Sequence, residues 1–324
     1  MPVYAIVMWL SLMPLLVSAN DVLNRTRYAL FNGRQPAAPV RVLDALLIET
    51  DRVDGLPVVE LSDIAWDQRN QLLYAVSDDG YLFTLALDIR SRRLLSARFL
   101  AGYRLRDKQG RRLTGDASDA EGLDIAGWNA RGEPELLVSF EHGARIWRYS
   151  PAGRYLGKVR LPTPLRKKRG YRGANHMLEG VVSHPGFGVL TAAERPLRRD
   201  SKKVQSLYAM DGRQWRFKAW KRKKGAITSL EVLPDGNVLL LERAWKGVPA
   251  PVHIRLRKLW VMSKPEGGQV KANTLAVWNG GEGWRLDNFE GLAHYRDGLF
   301  LLVSDNNEAL YQNTLLVLIE VNVE

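Results

Sequence analysis

The sequence predicts an all-β fold: a β-propeller of five blades whose ring is closed by a strand from the N-terminal region. Three observations carry that reading. A module of short apolar strand, turn and second strand with an acidic end recurs five times, as LSDIAWDQRNQLLYAVSDDG (61–80), AEGLDIAGWNARGEPELLVSFEHG (120–143), LEGVVSHPGFGVLTAAERP (178–196), SLEVLPDGNVLLLER (229–243) and FEGLAHYRDGLFLLVSDNN (289–307). Successive modules start between fifty and sixty residues apart, too far for one hairpin and suited to a four-stranded blade with its loops. No helical period of useful length appears between Val40 and Glu324, which disfavours a helical solenoid.

From the N-terminus, MPVYAIVMWLSLMPLLVSA (1–19) is uncharged and apolar and ends in Val17-Ser18-Ala19, a small-residue cleavage pattern. It reads as an export signal removed before Asn20, with an uncleaved anchor as the alternative, although the run is short for a full span. No later segment is apolar for long enough to cross a bilayer. Residues 20–54 form an N-terminal segment and 55–324 the propeller domain. Within the former, RVLDALLIE (41–49) is the ring-closing strand, and residues 20–60 leave room for a sixth blade. The second repeat shows all four strands of a blade, GLDIAG, ELLVSF, ARIWRYS and YLGKVRL, punctuated by 131–134 and 151–153. Asp235-Gly236 and Asp297-Gly298 are tight hairpin signals, because glycine adopts positive φ without steric cost. The fifth repeat runs out after GLAHYR, LFLLVSD and TLLVLIEV, so its fourth strand must come from elsewhere. Closure from both ends of the chain removes exposed sheet edges, and the protein is expected to act as a monomer.

The composition suits one domain of this kind: 324 residues, 46% hydrophobic, with ten tryptophans and eleven tyrosines for layered sheet packing. The chain has no cysteine, which excludes disulfides, a thiolate nucleophile, a lipoprotein anchor and a cysteine zinc site. A bacterial periplasmic or secreted address fits these features. The formal charge is +12 and is concentrated. Residues 154–172, with LRKKRGYR, contain no acid, and residues 195–224, with RPLRRDSKK and WKRKK, contain only Asp200 and Asp211. Such basic stripes attract an anionic small molecule or polymer. Nucleic acid is disfavoured, since the aromatics fall mainly inside strands.

The acidic pattern is more specific. Asp63, Glu121, Glu179, Glu231 and Glu290 stand near the entrance of the first strand of each repeat, and Asp78, Glu141, Glu194, Glu242 and Asp305 at the end of the second. If those strands are innermost, the acids converge on the ring axis. Two like charges ~4 Å apart repel by about 4 kcal/mol at the effective dielectric of a protein surface. Protonation, pairing with Arg195 and Arg243, or a divalent cation can offset that repulsion. Calcium, which takes six to eight oxygen ligands, suits the set with Asn306 added. The bland alternative makes these acids structural acceptors for the backbone of the neighbouring blade. Of the five histidines, His142 and His176 lie close enough in sequence to acids of the set to serve as general acid or base. No Gly-x-Ser-x-Gly elbow, Walker loop or His-Glu-x-x-His occurs.

The strings AEGLDIAG, NHMLEGVVSHPGFGVLTAAERP and DNFEGLAHYRDGLFLLVSDNN resemble the phytase-like domain family, described as "esterase-like activity of phytase", over roughly residues 55–322. The resemblance implies an exported bacterial propeller, distantly similar to calcium-dependent phytases that release phosphate by metal-activated water. It points to Glu121, Glu179, Glu290, Asp305 and Asn306 as site residues. It departs from those phytases at Asp116-Ala117-Ser118-Asp119-Ala120-Glu121, looser than their Asp-Ala-Asp-Asp-Pro type string. The expectation is a calcium-dependent hydrolase of phosphoesters or other esters, with Glu290, Glu179 and His176 catalytic and Arg145, Arg195 and Arg243 holding an anionic substrate. An esterase or lactonase like six-bladed calcium enzymes shares the metal. A binding propeller without turnover is the rival.

Overall fold

The structure is a computed structural model that describes residues 23–322 other than 34, 36, 37, 174, 223, 263–267, 308 and 310. The expected signal at 1–19 and its cleavage point lie outside the described residues. Among the described residues, five antiparallel sheets of four or five strands follow one another along the chain. Their innermost strands, Leu61–Asp67, Ala120–Trp128, Leu178–His184, Gly225–Val232 and Asn288–Arg296, touch in cyclic order, the fifth returning to the first. This is a five-bladed propeller. Among the described residues no helix is long and apolar enough to cross a membrane.

Blade 5 is completed as the sequence requires. Its own strands end with Leu315–Val321, and Val40–Leu47 pairs antiparallel with that strand, Val40 against Val321 through Leu47 against Leu315. The described residues of 23–60 form no sixth blade: besides the closing strand they give Leu23–Asn24, on the outer edge of blade 1, and a short hairpin of Arg52–Val53 with Leu56–Pro57. Asp297-Gly298 is a two-residue turn with both residues at positive φ. Asp235-Gly236 belongs to a three-residue loop instead. Gly236 N–H donates to Leu233 at 2.8 Å and Leu233 N–H to Asn237, with only Gly236 left-handed.

The core is five wedges, one between each pair of neighbouring blades. Phe83 and Ile64 of blade 1 meet Leu301, Leu316 and the closing strand's Leu46 of blade 5. Val76 and Leu82 meet Leu123 and Val138 between blades 1 and 2. Ile146 and Leu137 meet Leu178 and Tyr208 between blades 2 and 3. Phe217 and Leu190 meet Leu230 and Leu240, and Leu241 and Ile254 meet Phe289 and Phe300, completing the circuit. Alternating apolar residues on both faces of each sheet make this possible, since every blade has a neighbour on either side.

Candidate functional site

Each innermost strand carries a β-bulge near its start, where the pairing register shifts: between 61 and 63, 120 and 122, 178 and 181, 227 and 229, and 289 and 291. The bulges hold Ser62, Glu121, Glu179, Thr228 and Glu290. The residues that follow are Asp63, Gly122, Gly180, Ser229 and Gly291. The recurring Glu-Gly pair has a steric cause. A Cβ on Gly180 would lie 2.8 Å from the Leu230 nitrogen, and one on Gly291 2.9 Å from the Asp63 Cα, because the next blade's inner strand passes there. The bulge inserts an extra residue beside that contact and re-aims its side chain, bringing the glutamates to one mouth of the ring.

The second strands deliver the other acids. Ser77, Phe140, Ala193, Glu242 and Ser304 pair at equivalent places with the start of the inner strand. The next residue is Asp78, Glu141, Glu194, Arg243 or Asp305, so the position is acidic in four blades and arginine in the fourth.

These side chains line a cavity of about 620 Å³: Asp78, Glu121, Glu141, Glu179, Glu194, Glu290 and Asp305, interleaved with His176, Arg195, Lys224 and Arg243. Arg243 Nη1 donates to Glu290 and to Asn288, and Asn288 Nδ2 donates to Glu290 at 2.9 Å and Asp305 at 3.0 Å. Ser62 donates to Asp78. His176 Nδ1 meets Glu194, whose Oε2 is also 3.4 Å from Arg195 Nε. Glu121 and Glu179 are different: each is 9% exposed and lines the cavity, yet neither carboxylate has a hydrogen-bond or ion-pair partner among the described residues.

Burial and mutual repulsion push the acids up. Glu121, Glu179 and Asp78 are raised well above the usual carboxylate range, in each case by burial first; the neighbouring charges add to it, Asp78, Glu179 and Glu290 at Glu121, Glu194, Glu141 and Glu290 at Glu179, and Glu290 and Asp305 at Asp78. Glu141 is raised to about 8 by burial and the charges of Asp119 and Glu194. Burial lifts Glu290 to about 7 against the pull of Arg243. Burial opposes the Arg243 charge, but Glu290, Glu179, Glu194 and Asp305 outweigh it and raise its pKa.

Three groups bring candidate ligand atoms within 4.8 Å of one another: Asp78, Asp119 and Glu121; Asp119, Glu141 and His142; Glu141, His176 and Glu194. Asp119 belongs to two of them and was absent from the sequence-predicted set. The signal for it lay in the 116–121 string, where it precedes the bulge glutamate by two residues.

Five expected site residues are placed elsewhere. Asp63 follows its bulge rather than occupying it. It lies fully buried beneath the cavity and accepts from the N–H groups of Leu123, Ile64 and Leu292 and from Ser229 at 2.9–3.1 Å. Glu231 lies two residues past the Ser229 position and accepts from His294 N–H at 2.7 Å, stapling blade 4 to blade 5. Asp124, unremarked in the sequence, staples blade 2 to blade 3 through Ser183 N–H. Glu242 stands one residue before the cavity position and is 2% exposed. It accepts from Arg255 at 2.7 Å and from Arg257 at 2.8 and 3.0 Å. Asn306 accepts from Glu60 N–H, and its neighbour Asn307 lines the cavity in its place. Arg145 is set back from the cavity lining, stacked 3.9 Å over Phe140 and bonded to the His142 and Ala117 carbonyls, and burial lowers its pKa to about 10.

A sequence profile of the family described as phytase-like, "esterase-like activity of phytase", matches residues 56–308. The chain belongs to this family. No curated protein matches the sequence of this phytase-like chain. Similar solved structures include the PQQ-bound aldose sugar dehydrogenase of Streptomyces coelicolor, at 12% identity, covering 87% of this chain and 97% of that one with a TM-score of 0.44. Another is a protein of unknown function from Bacteroides thetaiotaomicron, at 10% identity, 93% and 76% coverage and a TM-score of 0.45.

Proposed function

We propose that this phytase-like propeller is a metal-dependent hydrolase of phosphoesters or other esters, working in the acid-lined cavity at the ring mouth. The observation that carries the reading is the pair Glu121 and Glu179, nine-tenths buried, facing the cavity and without partners. Buried carboxylates are ordinarily paired or coordinate a cation. Glu121, Glu179, Asp78, Glu141 and Asp305 would hold it. An all-oxygen set of this kind suits calcium, whereas the groups containing His142 or His176 suit a transition metal. A divalent cation there supplies Lewis acidity toward an ester or phosphoryl oxygen and lowers the pKa of water.

The chain's own residues do the rest. Arg195, Arg243 and Lys224, standing among the acids, bind an anionic group and stabilise negative charge that develops on it. His176, with Nδ1 turned to Glu194, presents Nε2 for proton transfer to a leaving group. Arg243 and Asn288 hold Glu290 Oε1, which orients its other oxygen. An exported, periplasmic or secreted location and a monomeric state belong to the same proposal.

The test is hydrolysis of p-nitrophenyl phosphate and p-nitrophenyl acetate by purified protein before and after a chelator, with elemental analysis. Activity should fall on chelation, return with cation and drop about a hundredfold or more in Glu290→Gln. Turnover indifferent to chelation overturns the metal. Absence of turnover on any ester with bound cation present favours a propeller that only binds.

A further inference from the structure

The basic runs at 195–203 and 220–224 take no part in the cavity chemistry apart from Arg195 and Lys224, yet they converge in space. They wall a trough of about 740 Å³ on blades 3 and 4, and none of the described residues lining it is acidic. Beside Arg195, which faces Glu194, its cations are of two kinds. Arg172 and Arg198 are committed to shaping the wall: Arg172 donates to the Pro196, Leu197 and Asp200 carbonyls, and Arg198 to the Tyr171 carbonyl at 2.6 Å. Lys202, Lys203, Lys221, Arg222 and Lys224 are exposed, and none forms an ion pair or hydrogen bond through its side chain among the described residues. Five like charges without an ion-pair partner, one of them, Arg222, 6.0 Å from the Trp220 ring centre, attract an anionic ligand to the trough.

The trough has two continuations. At one end His176, Arg195 and Lys224 line both it and the acid cavity. At the other, Trp220, Lys221 and Arg222 also wall a second trough of about 700 Å³, which adds Lys246, His253 and Asn279. A compact ligand fills one compartment. Two compartments in series, sharing a basic wall and leading to a third cavity, suit a chain. Trp220 stands at the junction, braced by the Arg255 guanidinium 4.4 Å from its ring centre. A single-stranded nucleic acid would call for a succession of aromatic faces. The described lining of the two troughs offers one tryptophan, with an amide and several cations. That combination matches a sugar ring resting against indole, with its neighbours' carboxylates reaching the lysines.

We propose that the two troughs form one binding track for a linear acidic polysaccharide, directed toward the acid cavity. If the hydrolase reading holds, this polymer carries the ester that is cleaved; the track stands as a binding site without that reading. The experiment is fluorescence anisotropy of a fluorescein-labelled oligogalacturonate of about ten units, in chelator and at low salt. Wild-type protein should bind it, with affinity falling steeply as salt rises. The triple variant Lys202→Glu, Lys203→Glu, Arg222→Glu should lose at least about tenfold in affinity, at unchanged melting temperature and unchanged turnover of p-nitrophenyl esters. Trp220→Ala should weaken binding several-fold, and Glu290→Gln should bind as wild type. No binding, or equal binding by the triple variant, overturns the track. A labelled ten-nucleotide dT strand binding as tightly makes it a nucleic-acid surface, and tripolyphosphate competing as well as the oligomer makes it a single compact anion site. Either result overturns the polysaccharide. Failure of ester hydrolysis with oligomer binding intact would sink the hydrolase reading alone.

Discussion

Glu121 and Glu242 are both nearly buried carboxylates at the start or end of a blade's inner hairpin, and they do opposite work. Glu242 answers two guanidiniums, Arg255 and Arg257, inside blade 4. Removing its charge leaves both cations buried against an apolar wedge, and breaking a buried pair in this way costs about 3–5 kcal/mol. Glu121 answers no cation of the protein and is repelled by Asp78, Glu179 and Glu290. Glu242→Gln should therefore lower the melting temperature strongly in a thermal melt, with chelator or without, and leave cation stoichiometry as it was. Glu121→Gln should leave the chelated protein as stable as wild type or more so, and weaken cation binding in calorimetry. Equal destabilisation by both substitutions in chelator would mean that Glu121 is a structural acid like Glu242.

At the scale of the element, the ring depends on inner strands approaching so closely that a side chain is excluded at three of five equivalent places. Gly180→Ala puts a methyl 2.8 Å from backbone of blade 4, which cannot retreat without opening the wedge behind Leu230. Overpacking of this kind costs about 1–3 kcal/mol. Denaturant melts should show that loss, and cation affinity should fall with it, since the displaced bulge carries Glu179. An intact cation affinity would separate the bulge from the site. The same element explains what could be read in advance. Recurring short apolar runs, Asp-Gly turns and a fifth repeat one strand short made the five blades and the closing strand 41–49 legible, because each states a local requirement of a sheet. The second-strand acids Asp78, Glu141, Glu194 and Asp305 were legible by their place after the strand, and those of the first strand only where Glu-Gly marks the bulge, at Glu121, Glu179 and Glu290. Blades 1 and 4 replace the pair by Ser62-Asp63 and Thr228-Ser229, so their nearest acids, Asp63 and Glu231, look equivalent and are not. One residue of register turns a strand side chain to the other face, which likewise hid Arg243 behind Glu242.

For the whole molecule, the acids of the mouth and those buried beneath it differ in how they tolerate negative charge. Below the cavity, Asp63, Asp124 and Glu231 are met by backbone N–H groups that stitch blades 1, 2 and 5, blades 2 and 3, and blades 4 and 5. At the mouth, seven acids share Arg243, Arg195 and Lys224, so charge there remains in excess without a cation. A carboxyl whose native pKa lies above its unfolded value binds more protons folded than unfolded, so stability falls as pH rises between the two values. For Glu290 that interval runs from the ordinary 4.5 to about 7, and for Glu141 from 4.5 to about 8. Chelated protein should therefore be more stable at pH 5 than at pH 8. A bound cation reverses the preference, because it requires the ionised carboxylates and competes with protons for them. The rise in melting temperature on adding cation should accordingly be large at pH 8 and small at pH 5, measured at one cation concentration in matched buffers. A rise independent of pH across that interval would show that the cation is held by groups other than these carboxylates, and the mouth of the propeller would have to balance its charge by protons alone.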